Sequence, residues 1–187
     1  MDEPFFGVTT RVDCTLAYEK SKALGISFFA YYLHKTLLAV NSVENFRYRI
    51  HENDVYVFDR IDASATIMRE DQTFGFSFIE HADNFNEFAI NVKKEIARIQ
   101  TTTGLFTRPF TEDNLIHFSA LPWIDFTSFS HARSFQWADS CPKISFGKMV
   151  EADGKRTMAV SVHVHHGLVD GLHIGQFFTQ LEQFMND

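Results

Sequence analysis

Clusters of basic residues are missing from this sequence of 187 residues, and so are long apolar runs. The formal net charge is −7. Because contact with nucleic-acid phosphates or anionic lipids needs concentrated positive charge, we expect neither a nucleic-acid nor a membrane partner. The two cysteines, Cys14 and Cys141, form no C-x-x-C pair, and no signal peptide is recognisable. These features favour a reducing cytoplasm as the location.

Linkers and internal repeats are also missing. The chain has 4 prolines and 9 glycines, and no Pro/Gly/Ser-rich stretch divides it. Apolar residues make up 45% of the sequence and include 21 phenylalanines, which is enough for one sizeable core. We therefore interpret residues 1–187 as a single domain.

Strand and helix patterns are mixed along the chain without a strict βαβ rhythm. They predict an α/β (α+β) two-layer sandwich, in which helices pack on a mixed, largely antiparallel sheet. We expect Asp83 or Asn84 to cap the amphipathic helix predicted within residues 83–100. The expected strands are residues 6–15, 46–50, 55–58, 72–80, 115–121, 143–151 and 156–166, and the expected helices are residues 26–42, 83–100 and a final one burying Ile174, Phe177, Phe178, Leu181 and Met185.

The stretch "VSVHVHHGLVDG" (residues 160–171) places three histidines at the end of an alternating strand. Because strand side chains alternate between faces, His163 and His165 share one face and His166 belongs to the other, where it ends a stripe of valines. A partly desolvated imidazole at that position stays neutral, which is the state that a general base requires. Asp170 is placed to orient the following turn or to cap the final helix.

Three interpretations of these histidines remain open from the residues alone. They are ordinary structural histidines, or His163 and His165 bind zinc with Asp170 or another histidine, or His166 is a catalytic base. An H-x-H pair on a strand is a weak metal signal, and the chain has no H-E-x-x-H motif and no obvious third ligand. We expect no metal.

The segment "HHGLVDG" (residues 165–171) matches the HHxxxDG signature of CoA-dependent acyltransferases. Together with "HFSALPWIDFTSF" (residues 117–129) and "KISFGK" (residues 143–148), it resembles the chloramphenicol acetyltransferase family. The resemblance implies a cytoplasmic homotrimer with active sites in clefts between subunits. Acetyl-CoA would enter as co-substrate from one side and a hydroxyl acceptor from the other.

The resemblance also implies roles for individual residues. His166 would be the general base and Ser119 the hydrogen-bond donor to the oxyanion. Ser145 stands where the family commonly has a threonine that helps to hold the intermediate, through water. Asp170 would be a structural carboxylate that an arginine of the family's N-terminal segment neutralises.

That arginine is not found, because the sequence opens close to the family's first core strand. We expect an N-terminal segment of roughly thirty residues to be lacking relative to the family. Since a buried carboxylate without a partner is destabilising, Arg11 or Arg133 is expected to substitute if the segment is truly absent.

The ligand sites follow from the same resemblance. Trp123 and Lys148 would border the coenzyme. Phe6 and Phe74 match aromatic positions of the family's chloramphenicol pocket, which favours chloramphenicol or a similar small alcohol as the acceptor. Phe76, His131 and His163 replace a small residue, a leucine and a glutamine of the family, which points to another alcohol or a weak activity on chloramphenicol. The alternatives are a non-catalytic ligand-binding or regulatory homologue and, less favoured, a dihydrolipoamide acyltransferase core. The full acceptor site is predicted as Phe6, Phe74, Phe76, Phe129, His131 and His163.

Overall fold

Nine strands and four α-helices make up the part of the chain that the computed structural model describes, which is residues 3–52, 54–109, 111–132 and 139–187. In those ranges no helix has both the length and the apolar character needed to cross a bilayer. The strands are β1 (Phe5–Asp13), β2 (Tyr48–His51), β3 (Asp54–Val57), β4 (Asp62–Met68), β5 (Phe74–Phe76), β6 (Leu115–Ala120), β7 (Lys143–Phe146), β8 (Val150–Ala152) and β9 (Lys155–His165). The helices are α1 (Thr15–Ala23), α2 (Phe28–Ser42), α3 (Phe85–Gln100) and α4 (Gly171–Asn186).

Seven of these strands form one sheet. Six of them follow the order β1-β9-β7-β6-β4-β5, and β8 pairs with the first residues of β9, before the part of β9 that pairs with β7. β4, β6 and β7 run parallel to one another, whereas the pairs β1–β9, β7–β9, β8–β9 and β4–β5 are antiparallel. β2 and β3 form a separate hairpin. The predicted fold class, a mixed and largely antiparallel sheet with helices packed on it, is confirmed.

The helical layer covers one face of the sheet because that face is apolar. Val160, Val162 and Val164 of β9 are fully buried in the core. Tyr32 of α2 packs its ring 4.6 Å from that of Phe146 on β7. α4 buries Ile174, Phe177, Leu181 and Met185, as its apolar spacing predicts, and leaves Phe178 partly buried against the core.

The differences from the sequence prediction have local causes. α1 was not predicted because it buries only two small residues, Ala17 and Ser21, and so carries no apolar stripe. β4 was not predicted because it is buried on both faces and because most of its alternating apolar side chains are small. The expected strand 72–80 shortens to β5, followed by an isolated bridge between Ile79 and Ala63. Asn84 is the N-cap of α3 and accepts the backbone N–H of Asn86 at 2.9 Å.

The hairpin between β8 and β9 depends on a glycine in a left-handed conformation. Asp153 and Gly154 have φ values of 51° and 74°. We predict that Gly154→Ala lowers the free energy of unfolding by about 1 kcal/mol, because a Cβ is strained at positive φ. In the matched control Gly175→Ala, the new methyl meets nothing within 4 Å inside α4, and we expect a gain of about 0.5–1 kcal/mol. Urea denaturation of both variants measures the two shifts, and equal shifts would contradict this account.

A second glycine, Gly7, makes room for a histidine ring on the neighbouring strand. Gly7 of β1 lies opposite His163 of β9, and a Cβ on Gly7 would lie 2.4 Å from His163 Nε2. We predict that Gly7→Ala destabilises the fold by about 1–3 kcal/mol, because the ring has to move. The same change in a His163→Ala background should be almost neutral, and a double-mutant cycle of unfolding free energies measures this coupling. Additive effects would show that the ring contact is not the cause.

Candidate active site

An apolar cleft of about 420 Å³ opens at the end of β6. Ser119 lies in its wall, and Phe74 of β5 lies across from the loop that follows β6. Trp123 and Phe129 of that loop complete the wall. The cleft therefore brings together four residues that the sequence analysis assigned to catalysis, coenzyme binding and acceptor binding.

Residues that sequence reasoning missed also line this cleft. Thr66 and Met68 belong to β4, and Gln72 belongs to the turn that follows it. No strand was predicted at β4, so nothing indicated that these side chains lie next to Ser119. The alternation of Ala63, Ala65 and Ile67 with polar residues was the signal available, but the small side chains obscured it.

A row of hydroxyl side chains crosses the sheet on the face opposite the helices. Ser119 of β6 is paired with Ser145 of β7, which is paired with Ser161 of β9. Thr9 of β1 continues the row and donates a hydrogen bond from Oγ1 to Ser161 Oγ at 3.0 Å. Ser119 is thus held on a rigid strand, with further hydroxyl groups beside it.

Two histidines lie against this row. His131 Nε2 is 3.2 Å from Ser145 Oγ, and the His131 ring lies edge-on to that of His163 with 5.0 Å between centroids. The other side of His131 contacts the ring of Phe129 at 4.7 Å, which connects these histidines to the Ser119 cleft. Burial, with help from the neighbouring His163 and Lys143, lowers the pKa of His131 to about 4, and burial also lowers the pKa of His163. His131 is therefore uncharged near neutral pH.

His166 lies just beyond the end of β9 and is exposed. Its backbone N–H donates to Pro4 O at 2.8 Å, and its ring lies 4.8 Å from that of Phe6. Phe6 is paired with Val164 and packs against the core on the helical side. Phe6, predicted for the acceptor site, therefore accompanies His166 and does not line the Ser119 cleft. The residues that the structure describes do not supply the desolvation expected for His166.

His166 and Ser119 are far apart within one chain. Ser161, which is in the hydroxyl row, precedes His166 by five positions, and Ser119 lies two strands away from Ser161. With about 3.3 Å per residue and about 4.8 Å between strands, the separation is of the order of 19 Å. The two side chains also belong to opposite faces of the sheet. A single chain cannot bring both to one reacting group.

Asp170 has a local structural role. Its carboxylate accepts the backbone N–H groups of Leu172 at 2.9 Å and of His173 at 3.3 Å, and so caps α4. The hydrogen bond from His173 N–H is the main reason why the pKa of Asp170 is lowered. The predicted capping role is confirmed, and within the single chain the side chain is 51% exposed. Arg11 is not its partner, because it binds Asp125 at 2.8 Å, and Arg133 lies outside the described residues.

The remaining predicted residues differ in how close they lie to the cleft. Trp123 is 67% exposed at its mouth. Lys148 is exposed, and its backbone N–H donates to Ile124 O at 2.8 Å, so that β7 is tied to the loop that carries Trp123. Phe76 packs its ring 5.9 Å from that of Phe74, outside the cleft wall. Over the described ranges, no group of three or more His, Cys, Asp or Glu residues is arranged to hold a metal ion.

Comparisons with known proteins find relatives over nearly the whole chain. The family model described as "Chloramphenicol acetyltransferase" matches residues 3–182. The chain is 26% identical over 182 residues to "Chloramphenicol acetyltransferase 3" of Escherichia coli, covering 97% of this chain and 85% of the relative. A solved structure of a chloramphenicol acetyltransferase superposes with a TM-score of 0.87 at 29% identity, over 98% of this chain and 89% of the other.

The fold is shared more widely. A dihydrolipoamide acetyltransferase from Azotobacter vinelandii superposes with a TM-score of 0.74 at 13% identity, covering 98% of this chain and 82% of that one. At this identity, the likeness concerns the fold alone. The family match over nearly the whole chain is of a different kind, and it shows that this protein is an acetyltransferase enzyme belonging to the chloramphenicol acetyltransferase family.

Proposed function

We propose that the protein transfers the acetyl group of acetyl-CoA to the hydroxyl of a small acceptor, chloramphenicol or a similar alcohol, in active sites formed between the subunits of a homotrimer. The observation that carries this proposal is the Ser119 cleft, in which Phe74, Trp123 and Phe129 surround the serine. A serine hydroxyl in an apolar recess is suited to stabilise charge that develops during acyl transfer.

The chemistry starts at His166. Its neutral imidazole takes the proton of the acceptor hydroxyl while that oxygen attacks the thioester carbonyl, and a new C–O bond forms. The resulting tetrahedral oxyanion collapses, the C–S bond breaks, and the imidazolium returns the proton to the departing thiolate. An exposed ring at the end of β9 can reach substrates bound by a second copy, which would also desolvate it.

Ser119 donates its hydroxyl hydrogen to the oxyanion while the tetrahedral intermediate exists. Ser145, its partner in the hydroxyl row, supports the intermediate through water. Asp170 contributes by capping α4, so that the turn carrying His166 is fixed at both ends. In this role it positions the base and does not share its proton.

The coenzyme and the acceptor occupy different sides of the cleft. The exposed indole of Trp123 offers a packing surface to the coenzyme, and the ammonium of Lys148 offers a charge to its phosphates. On the acceptor side, His131 and His163 add neutral hydrogen-bonding groups beside Phe129. We therefore infer an acceptor that combines an apolar part with a polar, uncharged group near its hydroxyl.

Thiol release from acetyl-CoA tests the base. We predict that His166→Ala lowers the rate with a hydroxylated acceptor by about 10²–10⁴-fold, because the hydroxyl loses its proton acceptor. The control His51→Ala removes a partly buried histidine of β2 that pairs with Asp113 and should keep full activity. An unchanged rate in His166→Ala would contradict the base role.

The choice of acceptor separates this proposal from its alternatives. Formation of S-acetyldihydrolipoamide from acetyl-CoA, with no acetylation of any alcohol, would favour the dihydrolipoamide acyltransferase function. Binding of acetyl-CoA without turnover of any acceptor would favour a non-catalytic homologue. Turnover of other alcohols without chloramphenicol would change the substrate and leave the mechanism standing.

Subunit mixing tests where the site forms. We predict that Ser119→Ala alone lowers the rate by about 10²–10³-fold. Co-expressed with His166→Ala, it should regain about one quarter of the wild-type rate, because each mixed ring of three contains one junction with both intact residues. The control is Ser128→Ala, which changes an exposed serine of the same loop. Expressed alone, this variant should have the wild-type rate. No recovery in the mixed assemblies would contradict a site shared between copies.

A further inference from the structure

A second cleft, of about 260 Å³, lies where β6 and β7 begin. It shares no residue with the Ser119 cleft. Cys141 and His117 both line it, together with Arg49 and His51 of β2. The mechanism proposed above uses none of these side chains.

Cys141 and His117 belong to adjacent segments in this cleft. The backbone N–H of His117 donates to Pro142 O at 3.2 Å, so that the start of β7 is fixed beside β6. The thiol of Cys141 donates to Leu115 O at 3.1 Å. Both side chains are therefore held in place by the pairing of the two strands.

One ring nitrogen of His117, Nδ1, is buried without a hydrogen-bond partner among the described residues. Buried polar atoms are almost always paired, since leaving one unpaired is destabilising. The Cys141 thiol lies in the same cleft and interacts with the His117 side chain.

The charges around the cleft favour a thiolate. Within the described residues, the hydrogen bonds of the Arg49 guanidinium go to the backbone carbonyls of Asp113, Phe46, Tyr48 and Leu115, and none goes to a carboxylate. Burial alone would raise the pKa of Cys141, but His117, Arg49 and Lys143 together lower it to about 7. The charged and titratable groups that surround the thiol are Arg49, His51, Glu112, Asp113, Asp139 and Lys143, besides His117, and of these Asp139 is paired with Lys143 and Asp113 with His51.

We infer that Cys141 is a modification site, at which His117 accepts the thiol proton and the thiolate reacts with small uncharged electrophiles, hydrogen peroxide among them. With peroxide, the sulfur attacks one oxygen, an S–O bond forms and the O–O bond breaks. The cysteine is oxidised to a sulfenic acid, and the departing hydroxide takes the proton from His117 to become water. This inference does not depend on the proposed acetyl transfer.

Cys14 is a matched control inside the same chain. It is fully buried, and burial raises its pKa to about 12. Iodoacetamide labelling of the native protein, followed by peptide mass spectrometry, compares the two thiols directly. At pH 7 we expect Cys141 to react at least about ten-fold faster than Cys14, with a pH midpoint near neutrality. Equal rates for the two cysteines would overturn the inference.

A variant of the histidine separates its role from that of simple exposure. His117→Asn should raise the pH midpoint of Cys141 labelling by about one unit or more, because the imidazole no longer stabilises the thiolate. His81→Asn is the control, because His81 also buries an unpaired Nδ1 but lies outside the cleft. Protection of Cys14 in each variant reports that the fold is intact. An unchanged midpoint in His117→Asn would overturn the role of the imidazole.

Peroxide sensitivity is measured on the same protein. After treatment with hydrogen peroxide, a carbon nucleophile that captures sulfenic acids should label Cys141 and leave Cys14 unlabelled. Labelling should fall several-fold in His117→Asn at pH 7 and persist in His81→Asn. Absence of label at Cys141 in the wild-type protein would overturn oxidation by peroxide.

Discussion

The alternation of side chains along β9 is the constraint on which the candidate site depends. Val160, Val162 and Val164 hold the helical layer, so Ser161 and His163 face the other side. A slip of one residue would exchange the two sets and place histidine in the core. The burial of three valines therefore fixes which histidines meet the hydroxyl row and which one lies beyond the strand end. Packing in the core and the location of the base are decided by the same pattern.

On the sheet face opposite the helices, the buried side chains are polar. Ser145 and Ser161 are completely buried, although no helix in the described part of the chain covers them. Buried hydroxyls need partners, and here the contact of Ser145 with His131 and that of Ser161 with Thr9 provide them. The loop that carries Phe129 and His131 is thereby tied to the sheet. A cleft bounded by that loop starts from a defined geometry, which favours catalysis by pre-organisation.

The sequence predicted individual helices and strands, because these depend on residues that are neighbours in the chain. It did not predict which distant residues come together, because that depends on the order of the strands in the sheet. β9, α3 and α4 were predictable because their apolar residues recur with the period of the element that they form. Ser119 and Trp123 are four residues apart, so their proximity followed from the sequence as well. The separation of His166 from Ser119 did not, since it depends on β7 lying between β6 and β9. The capping role of Asp170 could be predicted from its neighbours in sequence. Its exposure could not, because exposure depends on how the turn before α4 is placed in the folded chain.

The protonation state of His131 and His163 limits which acceptors suit the proposed site. Protonating His131 would place a cation next to Lys143 and His163 in a half-buried position, which is why its pKa falls to about 4. A neutral ring can exchange hydrogen bonds with a ligand, but it supplies no charge to pair with an anion. An anionic acceptor entering beside Phe129 would lose its hydration there without gaining a counterion from these rings. The two rings thus offer hydrogen bonds beside the apolar Ser119 cleft and no charge, and for a hydroxylated acceptor at the proposed site the selection would rest on hydrogen-bond geometry and apolar fit.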